Sequence, residues 1–147
     1  MSHPSQARNK EILSKFEISE ALKITPNGYR FSLKFKRALW IASSKLCAYC
    51  GNEIENHKSM NVDHFIPKSK GGAEAFDNYV CSCRCCNLSK QTVDMDEFRI
   101  RMSINKSPLK GIINSTQFKQ LTELGVKLPL EIQQFHFEQI IEKGVAL

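Results

Sequence analysis

Phe31, Phe35, Leu39, Ala42 and Leu46 recur at steps of three or four, the spacing that lines one face of an α-helix. The cations between them then face water, and the predicted helix runs directly into CAYCG at residues 47–51. Ile12, Leu13, Phe16 and Leu22 show a similar recurrence and predict an earlier amphipathic helix over residues 5–23, followed by a turn at TPNG, residues 25–28. The pattern changes in the middle of the chain. MNVDHFIP, residues 60–67, has the β-branched and aromatic character of a short strand ended by Pro67, and NYVCSC, residues 78–83, reads as a second. Between them KSKGG, residues 68–72, reads as a flexible basic loop. Helical patterning resumes from Arg84 to about Gln91, over 94–104, from Ser115 to Leu124 with Gly125 as its stop, and from Pro129 to Lys143 with Gly144 past its end.

The fold class expected is α+β and mostly helical, with two short antiparallel strands and a helix at the centre. The organisation expected is an N-terminal helical extension over 1–35, a core over 36–91, and a C-terminal helical region over 92–147 packing on that core. Apolar positions in the last region, including Phe118, Leu121, Ile132, Phe135 and Ile140, are most simply explained by such packing; a homodimer or partner surface is the sharper alternative.

The chain has 147 residues, enough for one domain with a modest core. No apolar run reaches the length of a membrane span, and the polar start lacks the apolar stretch of a secretory signal, so a cytoplasmic location is expected and no membrane partner. In a reducing compartment paired cysteines more often bind metal than form disulfides. The net charge of +6 is unevenly spread. Gly28 to Leu46 holds Arg30, Lys34, Lys36, Arg37 and Lys45 with no acid, whereas Ile112 to Leu147 balances three lysines against four glutamates. The first two thirds therefore look built to meet phosphate.

Cys47 and Cys50 form one CxxC, and Cys83 and Cys86 another, with 32 residues between the pairs. Two such pairs commonly supply four thiolates to a structural zinc. The stretch CSCRCC, residues 81–86, offers other pairings through Cys81 and Cys85. Cys83 and Cys86 are preferred as i and i+3 on a turn into a helix, and Cys81 and Cys85 are read as small apolar residues. Asp63 and His64 close the first predicted strand, and Asn87 follows the last preferred cysteine. Asp63 and Asn87 offer the hard oxygens that Mg²⁺ or Mn²⁺ takes, and His64 can act as a general base near neutral pH.

Together the strings CAYC, VDHFIPKSKGG and DNYVCSCRCCNLSK resemble the HNH endonuclease family, the zinc-bound branch of the ββα-metal nucleases, over residues 36–91. The resemblance makes His64, Asn78 and Asn87 the three signature positions, an HNN variant. It implies metal-dependent hydrolysis of DNA to 5′-phosphate and 3′-hydroxyl ends, with His64 activating water and one divalent ion held by Asp63 and Asn87. It implies that Asn78 holds the loop bearing His64, and that the zinc is structural. Lys68, Lys70, Arg84 and Lys90 surround these elements and are expected to meet DNA phosphates. Trp40 and Tyr49 are read as core in preference to base-stacking residues, and His3, His57 and His136 receive no role. The alternative from another class is a noncatalytic, zinc-stabilised nucleic-acid-binding module.

Overall fold

The computed structural model describes residues 9–142, and the side chains of residues 11–140. His3, the start of the 5–23 segment, Lys143 and Gly144 lie outside the described residues. In chain order the elements are α1 (Asn9–Leu13), α2 (Ile18–Ala21), β1 (Leu22–Thr25), β2 (Gly28–Phe31), α3 (Leu33–Ala42), β3 (Asn61–His64), β4 (Tyr79–Ser82), α4 (Arg84–Lys90), α5 (Met95–Asn105), α6 (Ser115–Glu123) and α7 (His136–Glu142). The class is α+β: seven helices and two antiparallel strand pairs, β1–β2 and β3–β4, among the described residues. None of these helices is long and apolar enough to cross a membrane.

The chain divides into two compact units, one reaching Asn87 and resuming at Phe135, the other spanning Leu88–Gln134. In the first unit, the helix expected over 5–23 is instead two short helices and a strand. α1 ends at Leu13, α2 occupies four residues, and Leu22 begins a hairpin in which Leu22 pairs with Phe31 and Thr25 with Gly28. The turn read at TPNG thus joins two strands, and Gly28 takes a φ of 128°, open to glycine alone without strain. α3 starts at Leu33 because the Ser32 hydroxyl accepts from the Phe35 amide, 3.1 Å away. It buries Phe35 and Leu39, exposes Lys34 and Arg37, and leaves Lys36 half-buried. Phe35 lies at the centre of an aromatic cluster with Phe16, Phe31, Phe76 and Tyr79, at ring separations of 5.5–5.8 Å.

After α3 the chain turns through Ser44 and Lys45, both at positive φ, and the Trp40 indole donates to the Ile54 carbonyl at 2.9 Å. Trp40 is a brace for the loop leaving the CAYC turn. β3 and β4 pair with Val62 opposite Cys81, Asp63 opposite Val80 and His64 opposite Tyr79. All four residues of β4 are buried, which explains its run of apolar residues without alternation. The basic loop expected at 68–72 is a single 3₁₀ turn, Lys68–Lys70, closed by Gly71 in the left-handed region. The last helix begins at His136, seven residues later than expected. Its first turn is bonded to the CAYC loop, the His136 amide to the Tyr49 carbonyl at 2.8 Å and the Phe137 amide to the Ala48 carbonyl at 3.0 Å.

The second unit is held by α5 and α6. Asp94 and Asn114 cap these helices through their side chains. Glu97 on α5 accepts from Lys119 at 2.6 Å, from Arg101 at 3.2 Å and from the Ser115 hydroxyl. These bonds hold its carboxyl down at about 2, with Lys119 the largest influence.

Candidate functional site

Cys47, Cys50, Cys83 and Cys86 bring their sulfurs within 4.8 Å of one another. A tetrahedral zinc with Zn–S bonds of about 2.3 Å has S···S edges of about 3.8 Å, and Cys50 and Cys83 are 3.8 Å apart. Such crowding splits the thiols' proton affinities. Contact with Cys47 holds Cys50 down at about 7, and Cys83 lies far lower for the same reason, while neighbouring sulfurs push Cys47 and Cys86 strongly up. Four thiolates around one dication remove that conflict, so the donor set fits zinc. Cys81 is buried on β4 and Cys85 is exposed on α4, and neither belongs to the cluster. The turn that aims the first pair closes through the Gly51 amide on the Cys47 carbonyl, and the Ala48 amide docks it onto β4 through the Cys81 carbonyl at 3.0 Å.

Asp63 and His64 are successive residues of β3 and therefore project to opposite faces of the strand. On one face the Tyr49 hydroxyl, fully buried, donates to Asp63 Oδ2 at 2.6 Å. Burial, and next the Asp63 charge, push Tyr49 well above the ordinary tyrosine range, so it keeps its proton. The Tyr49 ring is edged by Phe135 at 5.7 Å and Phe137 at 6.3 Å. The zinc turn and the start of α7 therefore both orient the carboxylate on β3. The Asp63 oxygens are of the hard type that a divalent ion takes. Asn87 lies half-buried on α4, one residue after Cys86.

On the other face His64 is 6% exposed. Its ring meets Tyr79 at 5.4 Å, Tyr29 at 5.6 Å and Phe31 at 6.1 Å, the first two edge-on. Its Nε2 lies 2.8 Å from Glu74 Oε1. Lys68 Nζ is 3.2 Å from the same Glu74 oxygen and 4.8 Å from the centre of the Tyr29 ring. Asn78 is buried, and its amide makes three bonds: Oδ1 accepts from the Ile66 amide at 2.8 Å, and Nδ2 donates to the Ile66 and Ala73 carbonyls at 3.0 Å each. It ties together the two ends of the loop that follows His64. Lys68, Lys70 and Arg84 are exposed, whereas Lys90 is completely buried at the end of α4.

A family model described as HNH endonuclease matches residues 47–92. That stretch includes both cysteine pairs, Asp63, His64, Asn78 and Asn87. Residues 47–92 are thus similar to an HNH endonuclease domain. No curated protein and no solved structure matches the chain. The match supports a nuclease-type function, and the four-cysteine cluster is consistent with zinc.

Sequence reasoning missed four residues around His64: Tyr29, Phe31, Glu74 and Tyr79. Tyr79 could have been found from the strand register, since the cross-strand partner of the last residue of β3 must lie at the start of β4. Glu74 gave no local signal, because its partners are five, six and ten residues away. The sequence reads Tyr49 as core, which its burial supports, but carries no signal for the bond from its hydroxyl to Asp63.

Proposed function

We propose that the protein is a metal-dependent DNA endonuclease that hydrolyses phosphodiester bonds to 5′-phosphate and 3′-hydroxyl ends. The observation that carries this reading is the arrangement around β3: a carboxylate oriented from the zinc turn on one face, an imidazole on the other, inside a stretch that matches the HNH family. A noncatalytic binding module needs the cysteines and cations but has no use for an ordered imidazole and carboxylate here.

His64 takes a proton from water as the water oxygen attacks phosphorus in line, and the bond to the 3′ oxygen breaks. Asp63 and Asn87 would hold the divalent ion, which would supply charge stabilisation to the phosphate. Tyr49 keeps the Asp63 carboxylate in one orientation, and Asn78 keeps the loop after His64 closed. The cysteine cluster would hold a structural zinc through its four sulfurs. The acid-free surface of α3, with Lys34, Lys36 and Arg37, and the exposed Lys68, Lys70 and Arg84 bind DNA phosphates without reading sequence. Affinity should therefore fall steeply with salt.

Incubation of the zinc-loaded protein with supercoiled plasmid, with Mg²⁺ or with EDTA, tests the proposal. Relaxed or linear products in Mg²⁺ alone, whose ends a ligase can rejoin, are the expected result. DNA bound but intact in Mg²⁺ and in Mn²⁺ would favour the binding module.

A further inference from the structure

The contact between His64 and Glu74 has a chemical direction. An ionised carboxylate can only accept hydrogen bonds. Glu74 is approached by three donors: the His64 ring and Lys68 ammonium at Oε1, and the Tyr79 hydroxyl at Oε2, 2.8 Å away. Partial burial by itself would raise the Glu74 carboxyl, but bonds from Tyr79, His64 and Lys68 more than offset it and hold the group below the ordinary glutamate range. Glu74 is therefore an acceptor, and the proton in its contact with His64 sits on Nε2.

We propose that Glu74 is the positioning residue of His64: it accepts the Nε2–H, fixes the ring's tautomer, and places the basic lone pair on Nδ1. This rests on the reading of His64 as the general base. During hydrolysis the proton leaving water goes to Nδ1, the water oxygen bonds to phosphorus, and the bond to the 3′ oxygen breaks with its electron pair staying on that oxygen, which takes a proton from solvent water to become the 3′-hydroxyl. Glu74 stays ionised and gains no proton; its charge supports the imidazolium as it forms, the part a buried aspartate plays for the histidine of a serine protease.

The backbone around Glu74 is built for this work. Asn78 donates to the carbonyl of Ala73 through its side chain at 3.0 Å and to the carbonyl of Ala75 through its amide at 2.9 Å. Both neighbours of Glu74 are thus pinned by one residue. Tyr79, which is fully buried and directly opposite His64 on β4, touches the imidazole with its ring and Glu74 with its hydroxyl. The second signature position of the HNH domain therefore acts on His64 in part through Glu74.

The test uses zinc-loaded protein labelled with ¹⁵N-histidine, with the His64 signals identified by their loss in His64→Ala. Long-range ¹H–¹⁵N spectra should show neutral His64 protonated at Nε2. In Glu74→Ala this tautomer should give way to a mixture, and DNA cleavage should slow by ~10–100-fold, the usual effect of removing a histidine's outer partner. The Mg²⁺ requirement should not change. Glu74→Gln keeps the shape and an acceptor oxygen, so it should fold with full zinc content, retain the tautomer and recover part of the rate. His64 protonated at Nδ1 in the parent would overturn the proposal. So would a Glu74→Ala protein with unchanged tautomer or unchanged rate. The spectra need no DNA, so a parent protein that cuts nothing would refute the proposed function while the tautomer still judged Glu74.

Discussion

Replacing Tyr49 by phenylalanine removes one hydroxyl from the point where the zinc turn meets β3. The bond lost runs to a carboxylate over 2.6 Å, its donor fully buried and its acceptor 8% exposed, so water cannot readily take its place. A hydrogen bond to a charged group contributes ~1.5–3 kcal/mol to stability. For a chain of 147 residues that corresponds to a melting point lower by roughly 3–12 °C. Differential scanning calorimetry at fixed zinc should show this fall with zinc content unchanged, because Cys47 and Cys50 on either side of Tyr49 keep their positions. The same substitution in an Asp63→Asn background should cost less, since the charge that strengthened the bond is gone, leaving a coupling of about 1 kcal/mol or more. A Tyr49→Phe protein melting within about 1 °C of the parent, or strictly additive variants, would refute the link between the zinc turn and Asp63.

Cys86→Ser should lose zinc and unfold at ordinary temperature, whereas Cys81→Ser and Cys85→Ser should retain about one zinc per chain by elemental analysis, because structural zinc contributes ~10–16 kcal/mol of apparent binding free energy. Gly72→Ala should cost ~3 kcal/mol or more by thermal melting, since a Cβ there would lie 1.8 Å from the Ile66 carbonyl oxygen. Glu97 ionises more readily when folded, so its contribution is complete above the ordinary value of 4.5 and is lost as pH falls through about 2. Allowing for solvent screening, ~1–2 kcal/mol of urea-measured stability should disappear across that window, and Glu97→Gln should abolish this part of the pH dependence.

The sequence was readable wherever local pattern and local structure agree. α3, α5 and α6 announce themselves by helical spacing, and the two cysteine pairs by their turns. The choice of Cys83 over Cys81 followed from helix geometry, and β4 ends at Ser82, so Cys81 and Cys83 do not share a strand face. What stayed hidden depends on partners distant in sequence. β1 and β2 are four residues each, mix Lys23 and Arg30 with Leu22, Ile24, Tyr29 and Phe31, and leave Ile24 83% exposed, so their alternation could not compete with the helical spacing upstream. Pro129 to Gln134 has the composition of a helix start, but its backbone is engaged elsewhere: the Gln133 amide donates to Ser103 and the Gln133 carbonyl accepts from Arg99. Glu74 reads as one more loop acid until folding brings it to His64. Lys90, written like a phosphate-binding lysine, is buried.

The central claim is that His64 does chemistry on DNA. It is tested most directly by single-turnover cleavage of a labelled duplex at saturating Mg²⁺ or Mn²⁺, comparing the parent with His64→Ala and measuring DNA affinity in parallel. Equal affinity and a rate lower by ~10²–10⁴ in the variant are expected, the range for loss of a general base. A His64→Ala protein that cuts at the parent rate would contradict it.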